Sequence, residues 1–267
     1  MNDVLVSDLD GTVVFRDGVR HADRAALQRW HDAGNTLVLD TGKSIDAVRR
    51  VWHDEGLLLP DYVIAFTGGV ITDAALRPLV EHSHDPGTLA QVADVLDDEQ
   101  VALYASDIER DYEVFNHVGR TSTILPTFKP ASLQWLSTRR LFGIPVFVPQ
   151  QPDQVRIAAE LGRVLASCAA VHRNQDFIDI VPAGATKGSA LRELVDHVLP
   201  AHGRVITLGD SWNDLSMHEQ ADLSVTLRSA PREVIDQCDM AVDSAAELIE
   251  RLLGGSAEPN QAETIPR

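Results

Sequence analysis

The chain has 267 residues, 44% of them hydrophobic and 24% charged, enough apolar material for one large or two smaller folded domains and too much for a wholly disordered chain. Its 40 Asp and Glu against 23 Lys and Arg leave a formal charge of −17, which disfavours nucleic acid and anionic membrane surfaces as partners and means that a small anionic substrate needs local help. Two cysteines without metal spacing, Cys168 and Cys238, and a start that lacks the basic, apolar pattern of a signal peptide give a cytoplasmic expectation.

The first third alternates strand and helix signals. Val4 to Ser7 is a short apolar run that ends in acidic residues. Asp17-Gly18 suggests a hairpin, and His21 to Ala33 carries apolar residues at helical spacing until Gly34-Asn35 stops it. Thr36 to Leu39 reads as a second strand, Ser44 to His53 as a helix and Tyr62 to Phe66 as a third strand. Short apolar strands alternating with helices predict an α/β fold with a Rossmann-like parallel sheet buried on both faces.

The rhythm changes between His82 and Pro182. Strands are expected at Val101 to Ala105, Tyr112 to His117, Ile144 to Val148, Ala169 to His172 and Phe177 to Val181, with helices at Gly87 to Leu96, Ala131 to Leu141 and Asp153 to Ser167. This mixture predicts an inserted α+β module over 82–181. The βα rhythm then resumes with helix Lys187 to Val198, strand Val205 to Leu208, helix Asn213 to Gln220, strand Leu223 to Thr226 and helix Ser244 to Leu253. The polar segment 254–267 reads as a flexible tail. The expected division is therefore 1–81 with 182–253 as one domain and 82–181 as the other.

Four short motifs stand at strand ends or helix starts. In Asp8-Leu9-Asp10-Gly11-Thr12, residues two apart in an extended chain point the same way, so two carboxylates can face one site; a surface Asp-Gly turn has the same form. Thr41-Gly42-Lys43-Ser44 offers a hydroxyl and free N–H groups suited to a phosphate oxygen, or simply a helix cap. Thr186 reads as an N-cap that puts Lys187 in the first helical turn, where a cation opposes the helix dipole unless an anion is bound. Gly209-Asp210-Ser211-Trp212-Asn213-Asp214 opens a stretch to Asp222 with four acidic residues and no Lys or Arg. Asp210 joining Asp8 and Asp10 would make an oxygen-rich site for Mg²⁺. His82 and His84 could chelate a metal on one strand face but read better as linker residues. Trp212 suits packing or a place facing the inserted module equally.

In this order the motifs resemble those of the haloacid dehalogenase (HAD) superfamily. Between Thr12 and Thr41 lie 28 residues, too few for an inserted domain; between Thr41 and Lys187 lie 145. A C2B-type cap inserted there resembles the Cof-type, subclass IIB phosphatases, as does Ile178-Asp179-Ile180-Val181-Pro182-Ala183-Gly184 leading to Lys187. The resemblance implies a Mg²⁺-dependent phosphomonoester hydrolase acting on a small phosphorylated metabolite, a sugar phosphate foremost. It implies Asp8 as nucleophile, Asp10 as general acid and base, and Thr41 and Lys187 on the transferring oxygens. Mg²⁺ would be held by Asp8, the Asp10 carbonyl and Asp210, with Gly11, Thr12, Gly42, Asn213 and Asp214 in support.

Two departures stand out: Lys43 where relatives often carry Arg, and Thr67-Gly68-Gly69 where many carry Asn-Gly. Substrate selection is expected in the cap loop His172-Arg173-Asn174-Gln175-Asp176, with Arg173 and Asn174 as donors and Arg120, Lys129 and Arg139 as further candidates. Two alternatives stay open, a phosphosugar mutase using the same aspartyl-phosphate and a regulatory binding protein on an inactive core. Oligomeric state is not legible.

Overall fold

The computed structural model describes residues 1–56, 60–119, 128–174 and 176–254. Arg120, Gln175 and residues 255–267 of the expected tail lie outside them, as does the side chain of Asn174. The chain divides into two compact units, residues 1–42, 50–80 and 186–267 in one and residues 43–49 and 81–185 in the other.

The chain begins with β1 (Val4–Ser7), a small hairpin of β2 (Val14–Phe15) and β3 (Gly18–Val19), helix α1 (His21–Asp32), β4 (Thr36–Asp40) and α2 (Ile45–Glu55). It continues through β5 (Tyr62–Ala65), β6 (Val70–Asp73) and β7 (Pro78–Glu81). The second unit contributes α3 (Thr88–Leu96), β8 (Ala102–Ser106), β9 (Asp111–Asn116), β10 (Lys129–Pro130), α4 (Leu133–Leu136), β11 (Ile144–Phe147), α5 (Gln151–Val164), β12 (Ala169–Asn174) and β13 (Phe177–Pro182). The chain then returns through α6 (Lys187–Glu193), β14 (Val205–Gly209), α7 (Leu215–His218), β15 (Leu223–Leu227), α8 (Arg232–Ile235), β16 (Met240–Val242) and α9 (Ala245–Leu253).

The first unit is built on a sheet of order β16-β15-β14-β1-β4-β5-β6-β7. Its first six strands run parallel, and β6 turns back antiparallel on β5. Strand alternation sorts the core into two layers. Leu5, Leu37, Ile206 and Leu208 face Leu27 and Trp30 of α1 and Leu248 and Ile249 of α9. Val4, Val6, Val38 and Val205 face Ala190 and Leu191 of α6 and Met217 of α7. The expected α/β class with a buried parallel sheet is therefore observed.

The second unit holds a sheet of order β10-β9-β8-β11-β13-β12. Leu103, Ala105, Ile144, Val146, Ile178 and Ile180 line the face that packs on α3 and α5. Ala102, Tyr104, Phe147 and Phe177 form an aromatic cluster on the opposite face.

Several expected elements are corrected. The helix expected at Ala131 to Leu141 is one turn, Leu133–Leu136. Just beyond it, Ser137 Oγ donates to the Leu133 carbonyl and Thr138 Oγ1 to that of Trp135, each at 2.7 Å, so hydroxyls close the backbone early. The helix from Lys187 changes to a π turn at Leu194–Val198. The one expected from Asn213 is a 3₁₀ turn over Trp212–Asp214 followed by α7. Strands β6, β7, β10 and β16 were not expected. His82 and His84 do not share a strand: His82 is exposed, and buried His84 places Nε2 3.2 Å from the Ile180 carbonyl.

Candidate active site

Period-two alternation decides which side chains meet. In β1 the residues Val4 and Val6 face α6, so the next residue of that parity, Asp8, faces it too. Helix α6 begins with Lys187. Thr186 caps it: its Oγ1 accepts from the Ser189 N–H at 2.9 Å, and the Ser189 hydroxyl pairs with the Thr186 N–H at 2.9 Å. The expected conflict between Lys187 and the helix dipole is met by carboxylates. Fully buried Lys187 donates from Nζ to Asp8 Oδ1 and Asp214 Oδ1, each at 2.6 Å.

Asp214 is held from its other oxygen. Oδ2 accepts the N–H groups of Asp210 and Ser211, each at 2.9 Å. Asp210 is placed by Thr12, whose Oγ1 donates to its Oδ1 at 2.8 Å. Its carboxylate lies over Gly11: a Cβ there would stand 2.7 Å from Asp210 Oδ2, and the φ of +84° independently favours glycine. Glycine and threonine after Asp10 are thus geometric requirements of the Asp210 carboxylate.

Carboxylate oxygens of Asp8, Asp210 and Asp214 lie within 4.8 Å of one another. Three carboxylates against one ammonium leave an excess of two negative charges, which suits a divalent cation. Both Asp214 oxygens are already engaged, so Asp8 Oδ2 and Asp210 are the oxygens best placed for such an ion. Asp10 is exposed, outside that carboxylate cluster.

Burial sets the electrostatics. It pushes the Asp8 carboxyl up to about 7, with Lys187 opposing and Asp214 adding to the rise. It also raises Asp210, against the hydrogen bond from Thr12. For Lys187 burial acts downward, but Asp214, Asp8 and Asp40 together hold the ammonium above the ordinary lysine range.

Asp40 belongs to this group and was not foreseen. Strands β1 and β4 pair Ser7 with Leu39, so Asp40 is the in-register neighbour of Asp8 and shares its face. It is completely buried, neither carboxyl oxygen has a hydrogen-bond partner among the described residues, and burial lifts it to about 8. The parity of Val38 and Asp40 carries the signal, but it becomes readable only once the β1–β4 register is known.

Thr41 is buried beside this face, its N–H donating to the Ile64 carbonyl at 2.9 Å. Gly42 is exposed. Asn213 is exposed on the 3₁₀ turn, and its side chain makes no hydrogen bond among the described residues. Trp212 is 59% exposed.

In the second unit, β12 and β13 form the expected hairpin, with Asn174 paired to Phe177. Arg173 pairs with Ile178 and is exposed, which puts it on the helix-packed side of the sheet. Lys129 is exposed, whereas Arg139 is committed to the buried Asp107 carboxylate, with its Nε at 2.9 Å. Ser44 caps the start of α2, accepting from the Ala47 N–H at 3.0 Å, and donates to Asp111 Oδ2 at 2.9 Å.

Comparison with known proteins gives the family. The family model for haloacid dehalogenase-like hydrolases matches residues 5–248. The chain is 25% identical to a 5-amino-6-(5-phospho-D-ribitylamino)uracil phosphatase of Bacillus subtilis, over 93% of this chain and 97% of that protein. It is 28% identical to an HMP-PP phosphatase of an Enterobacter species, over 79% of this chain and 78% of that one. A solved HAD subclass IIB sugar phosphatase superposes with a TM-score of 0.78 at 17% identity, covering 95% of this chain and 99% of that structure. The chain belongs to the haloacid dehalogenase-like hydrolases, in their Cof-type branch.

Proposed function

We propose that the chain is a Mg²⁺-dependent phosphatase that hydrolyses phosphomonoesters of small metabolites, sugar phosphates foremost, through an aspartyl-phosphate on Asp8. The observation that carries the reading is the Lys187 ammonium held between Asp8 and Asp214, with Asp210 in the same cluster. The hydrolase family and the named activities of its relatives support it.

In this reading Asp8 attacks phosphorus while exposed Asp10 protonates the departing alcohol. Asp10 then takes a proton from the water that cleaves the acyl phosphate, which returns Asp8 as a carboxylate and releases phosphate. Thr41 and Lys187 hold the transferring oxygens, and Asp214 holds Lys187. Asp8, the Asp10 carbonyl and Asp210 would hold Mg²⁺, with Gly11, Thr12 and Gly42 shaping the pocket. Bound there, the cation neutralises phosphate charge near an anionic nucleophile. The unit containing residues 81–185 acts as the cap, and Arg173 and Asn174 are its candidate substrate contacts.

A phosphate-release assay over a panel of phosphorylated sugars, nucleotides and cofactors tests the reading. Wild-type protein with Mg²⁺ should release phosphate, and Asp8→Asn should lose at least about a thousandfold in kcat while keeping its circular dichroism and Tm. Near-normal turnover by Asp8→Asn would remove Asp8 as nucleophile. Isomerisation of a sugar phosphate without phosphate release would favour a mutase instead.

A further inference from the structure

Strand β5 passes to β6 through Phe66, Thr67, Gly68 and Gly69, and three successive residues of this turn lie in left-handed space. Phe66 has φ of 55°, Thr67 has φ of 54° and ψ of 40°, and Gly68 has φ of 99°. Glycine adopts that region freely, but a β-branched threonine there is an outlier that the surroundings must impose. They do so on three sides. The Thr67 N–H donates to the Thr41 carbonyl at 3.1 Å, and the Gly69 N–H donates to that of Phe66 at 3.2 Å. Gly68 lies against the backbone of Thr186, where a Cβ would stand 2.3 Å from the carbonyl oxygen. The Phe66 side chain is buried. The turn is therefore clamped between Thr41-Gly42 and the residue that caps Lys187.

Glycine or asparagine at 67 would relieve the strain. What threonine adds over glycine is a methyl group and a hydroxyl. That hydroxyl makes no hydrogen bond among the described residues, and Thr67 is half-buried. Its Oγ1 lies 3.4 Å from the point where a Cβ on Gly42 would stand, and Gly42 is itself exposed. The hydroxyl thus sits, rigidly placed, over open backbone next to Thr41. Unusual backbone geometry held in place by its neighbours concentrates where a ligand is bound.

We propose that Thr67 is a substrate-binding residue, its hydroxyl a fixed hydrogen-bond donor to the phosphoryl oxygens held at Thr41. The inference rests on the phosphatase reading given above. A donor to the phosphoryl group serves every phosphomonoester alike, so the effect of losing it does not depend on the leaving group.

The test compares Thr67→Val, which keeps branching and removes the hydroxyl, with Thr67→Ser, which keeps the hydroxyl. Measured with Mg²⁺ are kcat/KM for p-nitrophenyl phosphate and for the best panel substrate, the Kd of the phosphate mimic tungstate by calorimetry, and Tm. Thr67→Val should lose roughly tenfold to a hundredfold in kcat/KM on both substrates and bind tungstate more weakly. Thr67→Ser should stay close to wild type. If Thr67→Val does not fold, Thr67→Gly against Thr67→Ser isolates the hydroxyl, and the glycine variant should show the same loss. Wild-type values for the hydroxyl-free variant, or an equal loss in the serine variant, overturn the inference and leave the phosphatase reading standing. Failure of the wild type to hydrolyse any ester or bind tungstate overturns that reading, and the inference with it.

Discussion

Asp8, Asp40 and Asp214 gather, all buried, around the single ammonium of Lys187, and such a group cannot carry three full negative charges cheaply. Asp40 has no hydrogen bond to offset its burial among the described residues, so it holds a proton up to about pH 8. The folded chain therefore binds that proton more tightly than the unfolded chain, in which an aspartate titrates near 4. Stability from this group is present in full at acid pH, falls as pH rises through the interval from about 4 to about 8, and is level above it. Asp8, raised to about 7, acts in the same direction. Asp40→Asn, uncharged and nearly the same size, should flatten that decline. In chelator, the excess of its Tm over that of wild type should grow from pH 5 to pH 8. An unchanged slope in the variant would mean that Asp40 is not carrying the proton.

The hairpin of β12 and β13 illustrates what an element can settle that a motif cannot. Its polar tip gave reason to name Arg173 and Asn174 together, and the strand register settles their pairing: Arg173 stands opposite Ile178 and Asn174 opposite Phe177. Asn174→Ala and Arg173→Ala should each lower kcat/KM for the preferred substrate several-fold more than for p-nitrophenyl phosphate. Equal losses on the two substrates in Asn174→Ala would move selection to another part of the sheet. Strands β1, β4 and β14 were legible because parallel strands buried on both faces read as plain apolar runs, and each run ended at its motif. Asp8, Thr41 and Asp210 could be placed by that means. The one-turn α4 was misread as a long helix because Leu133, Leu136 and Leu141 mimic helical spacing while Ser137 and Thr138 terminate it. Asp40 escaped notice because an aspartate at a strand end resembles the start of a turn, and only the pairing of β1 with β4 turns it inward. Thr67 stood out as a departure in its motif, but its left-handed backbone has no signature in composition.

Over the whole molecule the formal charge of −17 opposes the approach of a phosphate dianion, and the carboxylate cluster adds to it locally. A divalent cation is what reconciles such a protein with such a substrate. Excess chelator should abolish phosphate release, Mg²⁺ should restore it, and Ca²⁺ should restore it poorly because its looser, larger shell misplaces the nucleophile. Full turnover in chelator would exclude the metal requirement. The strand order carries a consequence for the chain during its synthesis. Central strand β1 pairs with β4 on one side and β14 on the other, but β14 starts at Val205, 198 residues after Ser7 where β1 ends (205 − 7). At about 5–20 residues per second, a ribosome leaves that second edge of β1 without its partner for on the order of 10–40 s. The entire stretch 81–185 emerges within that wait. The host domain is thus the last part of the chain able to finish folding, although its first strand is the first to appear, and a nascent chain halted before β14 carries Asp8 but neither Asp210 nor Asp214.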